Sequence, residues 1–150
     1  MKKIALVALL AAISLAVVVA LASPEYPIII SSIEIKDMDG NPRTEFHRGE
    51  VAVIETVFTA NPTYYFVQPV SYLEIVEVFY GPRVMGLLLT RDTISAGEEK
   101  RFGGGILIRD TDPTGKYDVE VYAWNGFPSE MGAAWKPLAE PGYASFRVVP

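Results

Sequence analysis

Five oxygen-bearing residues stand at spacings that cation chemistry uses. Asp37-x-Asp39-Gly40-Asn41 offers ligands at alternating positions, and Asp110 and Asp112 repeat that spacing farther along the chain. Calcium takes about six to eight oxygens, so a fold that joined the two segments would make Asp37, Asp39, Asn41, Asp110 and Asp112 a calcium site. No complete calcium-loop motif accompanies them. Turn chemistry accounts for the same residues, because short carboxylates cap the backbone of the turns they begin. Gly103-Gly104-Gly105 has two readings as well. No helix follows to supply an anion-binding terminus, so the triplet reads as a β-bulge or a close backbone approach and not as a phosphate cradle.

Nucleophilic and redox chemistry is scarcer still. The chain has no cysteine and one histidine, His47, which removes a thiolate nucleophile, a blue-copper set and an ordinary zinc site. A Ser-His-Asp triad would have to use His47. That residue lies in Phe46-His47-Arg48-Gly49, a polar lead-in to a strand, and no Gly-x-Ser-x-Gly elbow accompanies it. The remaining enzymatic reading, a carboxylate pair acting on glycans, would draw on the same turn acids. The expectation is a protein that is not an enzyme and carries no cofactor other than the calcium just described.

The elements that must position these residues read as strands. Beyond Ser23 there is no helical period of useful length, and short apolar runs are punctuated by Gly, Pro, Asn and Asp. The first strand is Ile28 to Lys36. The second, Glu50 to Ala60, keeps Ala52, Ile54, Thr56, Phe58 and Ala60 on one face and Glu50 and Glu55 off it, which marks the first set as core. In the third, Ser71 to Tyr80, Leu73, Ile75 and Phe79 compete with Val76 and Val78 for the inside. Val84 to Ile94 contains Leu87-Leu88-Leu89, a run that predicts burial on both faces or a covered edge. Arg101 to Arg109, Lys116 to Trp124 and Gly142 to Val149 complete the set, with a long loop from Asn125 to Pro141 before the last.

Composition and the N-terminus place the chain. Lys2 and Lys3 precede an apolar run from Ile4 to Ala22, and Ala20-Leu21-Ala22 before Ser23 reads as a signal-peptidase site. At about 1.5 Å per residue the run spans about 28 Å, close to a hydrocarbon core of about 30 Å. Residues 1–22 are therefore a cleaved signal peptide or a retained signal anchor, with cleavage favoured, and residues 23–150 form one domain outside the cytoplasm. Loss of the two lysines takes the chain's charge from −5 to −7. That argues against nucleic acid, whose phosphates need a basic face. Contact with a membrane would come only through residues 4–22, if uncleaved. Three Asn, one Gln and no Cys fit a thermophile that avoids labile side chains.

Phe46-x-x-Gly49-Glu50 opening a strand stopped at Asn61, Ile94-Ser95-Ala96-Gly97-Glu98 before the next, and Pro113-Thr114-Gly115-Lys116-Tyr117 leading into Val119-x-Val121 together carry a family likeness. From Ile28 to Val149 the chain resembles secreted immunoglobulin-like modules, the cell-adhesion-related domains of bacterial and archaeal surface proteins. The resemblance implies an all-β, immunoglobulin-like Greek-key sandwich of about seven or eight strands behind the N-terminal segment. It also makes Tyr117 a tyrosine corner, its hydroxyl tied to nearby backbone.

In such a sandwich alternate loops share an end. One end would collect Tyr64, Tyr65 and Phe66 with Phe127, Met131 and Trp135, and the other the five calcium candidates. The expected function is a non-catalytic extracytoplasmic binding or structural module of the cell envelope, a subunit or accessory of a surface assembly. Its protein partner, or a second copy, would meet the six aromatic-end residues. A secreted inhibitor or ligand-binding domain is the first alternative. A strand-donating filament subunit is the second, with Pro27-Ile28-Ile29-Ile30 completing a neighbour's sheet.

Overall fold

The computed structural model describes residues 26–150, so the signal or anchor at residues 1–22 and the expected start at Ser23 lie outside the described residues. Eight strands follow one another: β1 (Ile28–Lys36), β2 (Glu45–His47), β3 (Val51–Ala60), β4 (Val70–Tyr80), β5 (Arg83–Ile94), β6 (Glu99–Leu107), β7 (Gly115–Trp124) and β8 (Gly142–Val149). They form two sheets, a smaller one in the order β1-β3-β6 and a larger one in the order β2-β8-β7-β4-β5. Every pairing is antiparallel except β2 with β8. The all-β expectation holds. The first strand pairs with β3 of its own chain, from Ile28 opposite Ala60 to Lys36 opposite Val53, so strand donation would have to unzip that ladder.

Period-two patterning builds the core. Ala52, Ile54, Thr56, Phe58 and Ala60 are all buried, as the alternation in β3 predicts, and Tyr117, Val119, Val121 and Ala123 of β7 face them from the larger sheet. Each such side chain taken wholly out of water contributes about 1.5–3 kcal/mol if it is Val, Leu, Ile or Phe. The competition within β4 resolves unexpectedly. Tyr72, Glu74, Val76 and Val78 point between the sheets, which places an acid in the core, while Leu73, Ile75 and Phe79 take the outer face.

Other expectations need correction. Leu87 and Leu89 are exposed, because β5 is the uncovered edge strand of the larger sheet and only Leu88 turns inward. The polar lead-in around His47 is itself a strand: β2 buries Phe46 against Phe146, ring centroids 5.5 Å apart, by pairing with β8. The Asn125–Pro141 loop contains a short helix, α1 (Pro128–Met131), and a 3₁₀ turn, Gly132–Ala134. Pro at the first helical position and Glu130 at the third, its carboxylate accepting from the Phe127 N–H at 3.2 Å, are the start signals that the loop reading passed over.

The glycine triplet is a close approach and not a bulge, since the β3–β6 register runs unbroken through it. A Cβ on Gly104 would lie 2.5 Å from Leu88 Cδ1, and one on Gly86 would lie 2.6 Å from Ile106 Cδ1. Each sheet edge thus offers one glycine to receive the other's aliphatic side chain. This interdigitation closes the sandwich along β5 and β6, where no backbone ladder joins them.

Candidate functional site

Cross-strand register sets side chains in rows on the outer face of the larger sheet, three of which bear on the site. The first is Trp124, Leu73 and Arg91, from β7, β4 and β5. The segment between β7 and β8 spans this row. Trp135 stacks on Trp124 with ring centroids 4.0 Å apart, and its indole N–H donates to the Gly126 carbonyl at 3.0 Å. At the other end Arg91 lies over the Phe127 ring at 4.8 Å and donates to both carboxylate oxygens of Glu130, at 2.5 and 2.6 Å. That pairing holds the Glu130 carboxyl below its ordinary range. Leu73, between the two clamps, is only 1% exposed although it points away from the sandwich interior.

The next two rows are bare. Tyr122, Ile75 and Leu89 form one, and Tyr143, Glu120, Glu77 and Leu87 the other. Tyr143 is 68% exposed, Leu87 52% and Leu89 47%. Glu77 and Glu120 are direct cross-strand neighbours, an arrangement that costs free energy when both are ionised. The Tyr122 hydroxyl donates to Glu120, and this bond raises the phenol above its ordinary range, with burial and the charge of Glu77 adding to it. The face is therefore apolar and aromatic around two acidic side chains that form no salt bridge among the described residues. Sequence reasoning missed it, although the outward parity of Tyr122, Glu120 and Asp118 in β7 was the available signal.

The six aromatic-end residues divide. Tyr64 and Phe66 pack edge to face at 5.2 Å, and Phe66 leans on the core. Tyr65 is 84% exposed at the tip of the β3–β4 loop, which flanks a cleft shared with Lys136 and Leu138. Phe127 and Trp135 serve the roof over Leu73, and Met131 is half-buried against Gly126. Three of its rings, Phe66, Phe127 and Trp135, are engaged in packing.

Two of the acidic residues, Asp37 and Asp112, turn a carboxylate oxygen to their own turns. Asp37 Oδ1 accepts from the backbone N–H groups of Asp39 and Asn41 at 3.0 and 2.9 Å. These bonds, that of Asn41 first, hold its carboxyl below the ordinary range. Asp112 Oδ2 accepts from the Arg109 N–H at 2.8 Å, and Arg48 donates to the Asp112 carbonyl at 2.8 Å. Among the described residues no three His, Asp or Glu side chains gather as a metal group. The physical reason is that turn carboxylates spend their oxygens on the turn. His47 is exposed, with Nδ1 2.6 Å from the Pro150 carbonyl.

No described protein family and no curated protein matches this chain. Solved structures share its fold. The C-terminal domain of Wzt superposes with a TM-score of 0.62 over 85% of this chain and 77% of that domain, at 10% identity. A β-glucosidase from Listeria innocua in complex with glucose gives 0.53 over 84% of this chain and 16% of its own, at 13% identity. An alkylpurine DNA glycosylase, AlkC of Pseudomonas fluorescens, bound to DNA containing an abasic site analogue, gives 0.52 over 83% of this chain and 31% of its own, at 15% identity. At these identities the likeness is one of fold. The chain spans less than a third of the length of either enzyme.

Proposed function

We propose that this chain is a non-catalytic binding or structural module of the cell envelope, working outside the cytoplasm through contact with a protein partner. Two lysines before the Ile4–Ala22 apolar run support the location. An immunoglobulin-like Greek-key reading of the sandwich rests on the strand order, on the successive strands β1 and β2 joining different sheets, and on the Tyr117 hydroxyl donating to the Pro113 carbonyl at 2.8 Å.

The observation that carries the function is the bare outer face of the larger sheet. Tyr143, Tyr122, Ile75, Leu87 and Leu89 make a contiguous apolar surface of the kind that contact sites use, and Glu77 beside Glu120 is an electrostatic cost the free domain bears. A partner surface presenting an arginine or lysine among apolar side chains would neutralise that pair while burying the rings. A photoreactive phenylalanine analogue at Tyr143, introduced in the native cell, tests this. One discrete adduct with an envelope protein is expected, together with cleavage of the chain by protease added outside the cytoplasmic membrane. Equal labelling from Glu34, exposed on the smaller sheet, would contradict the docking face, and protection from protease would contradict the location.

A further inference from the structure

Glu74 is the acid inside the sandwich, 3% exposed. Its Oε1 accepts from the Thr56 hydroxyl of the opposite sheet at 2.5 Å, whereas Oε2 is buried with no partner among the described residues. No base answers it. Its neighbours in register are Thr90 on β5 and Ala123 on β7, and Thr56 on β3 stands opposite Phe102 of β6. The inward-facing base of that edge, Lys100, is held 3.8 Å from both Asp92 and Glu98. The other inward titratable group on β4 is Tyr72, a phenol that burial keeps neutral.

Glu74 also lines a cavity of about 150 Å³ between the β5 and β6 edges, walled by Ile54, Val76, Leu88, Phe102 and Gly104. We propose that this cavity is a binding site for a small primary ammonium ion carried on a short apolar body. The volume matches one known to hold a benzene-sized guest in an apolar protein interior. One free carboxylate oxygen is too few for calcium or magnesium, which take a shell of several, but it suffices for the single positive end of an alkylamine. Phe102 supplies an aromatic wall of the type that attracts organic cations. Without a guest, burial favours the protonated acid, whose Oε1–H can donate to the Thr56 hydroxyl oxygen, so an ammonium guest would bind with release of that proton. The cavity reaches Leu89, which also belongs to the bare outer face, so the two proposals are told apart by Glu74, a residue that face lacks.

Nuclear magnetic resonance of the full chain, titrated with n-butylammonium at neutral pH, provides the test. Saturable shifts at Leu88, Phe102 and Gly104 are expected at millimolar concentration, with 1-butanol weaker by about tenfold or more and butyrate without effect. Glu74→Gln should remove the preference for the ammonium. Leu88→Phe, which fills the cavity and leaves the acid in place, should abolish the shifts and serves if the first variant fails to fold. Absence of saturable shifts in the wild type, equal binding of butanol, or amine binding that survives Leu88→Phe would overturn the proposal.

Discussion

Trp135 lies flat on Trp124, ring centroids 4.0 Å apart and planes within 10° of parallel. The stack is one of two clamps over Leu73, the other being Arg91 with Phe127 and Glu130. Trp135 thus packs on the sheet while remaining 38% exposed.

Trp135→Ser should therefore lower stability by at least about 1 kcal/mol, from the lost ring pair and the water admitted to Leu73. Tyr65→Ser, at an exposed loop tip, should stay within about 0.5 kcal/mol of the wild type. Denaturant unfolding of the two variants checks this; equal losses would show that the roof carries no load.

Tyr117→Phe removes the hydroxyl that donates to the Pro113 carbonyl and leaves the ring stacked on Phe146, 5.2 Å between centroids. A loss of about 1 kcal/mol is expected, the net worth of one such bond. An unchanged midpoint in urea would mean that the corner does not fasten the β6–β7 crossing.

Much of the fold was legible because alternation is a strong signal wherever charges mark the outside. In β3, Glu55 fixes the parity, and five core residues follow from it. In β4 the same rule misleads, since Glu74 and Glu77 fall on opposite faces and one of them is inside. The run Leu87-Leu88-Leu89 looks doubly buried only while β5 is assumed to have a neighbour on each side, and edge position is a property of topology, not of local sequence. The bare outer face was hidden for a related reason: Tyr143, Glu120, Glu77 and Leu87 come from four strands and meet only through register. The acidic turns show the reverse. At Asp37 and Asp112, spacing that reads as ligation also serves backbone N–H groups within a few residues.

Gly104→Ala drives a methyl into Leu88 and should cost about 1–3 kcal/mol. Leu88→Ala clears the space, so the double variant should be more stable than the sum of the two single losses predicts. Strict additivity in a thermodynamic cycle would deny that the two residues meet.

Burial raises the Glu74 carboxyl above its ordinary value of 4.5, with the Thr56 hydrogen bond partly opposing. The folded chain then keeps a proton that the unfolded chain has released, so stability is full below about pH 4.5 and falls as pH rises through the folded value. Glu74→Gln has no proton to lose. Its stability relative to wild type should increase between about pH 4 and pH 8, measured by thermal unfolding across that range. A difference independent of pH would show that Glu74 titrates normally.

The central claim is that the carboxylate pair on the bare face serves a partner at some cost to the free domain, and Glu77→Gln tests it most directly. The account predicts two opposite changes: the isolated chain becomes slightly more stable, by up to about 1 kcal/mol as like-charge repulsion is relieved, while the partner adduct formed from the photoreactive group at Tyr143 is lost. An adduct that persists at full yield in Glu77→Gln, in a chain that melts as the wild type does, would contradict it.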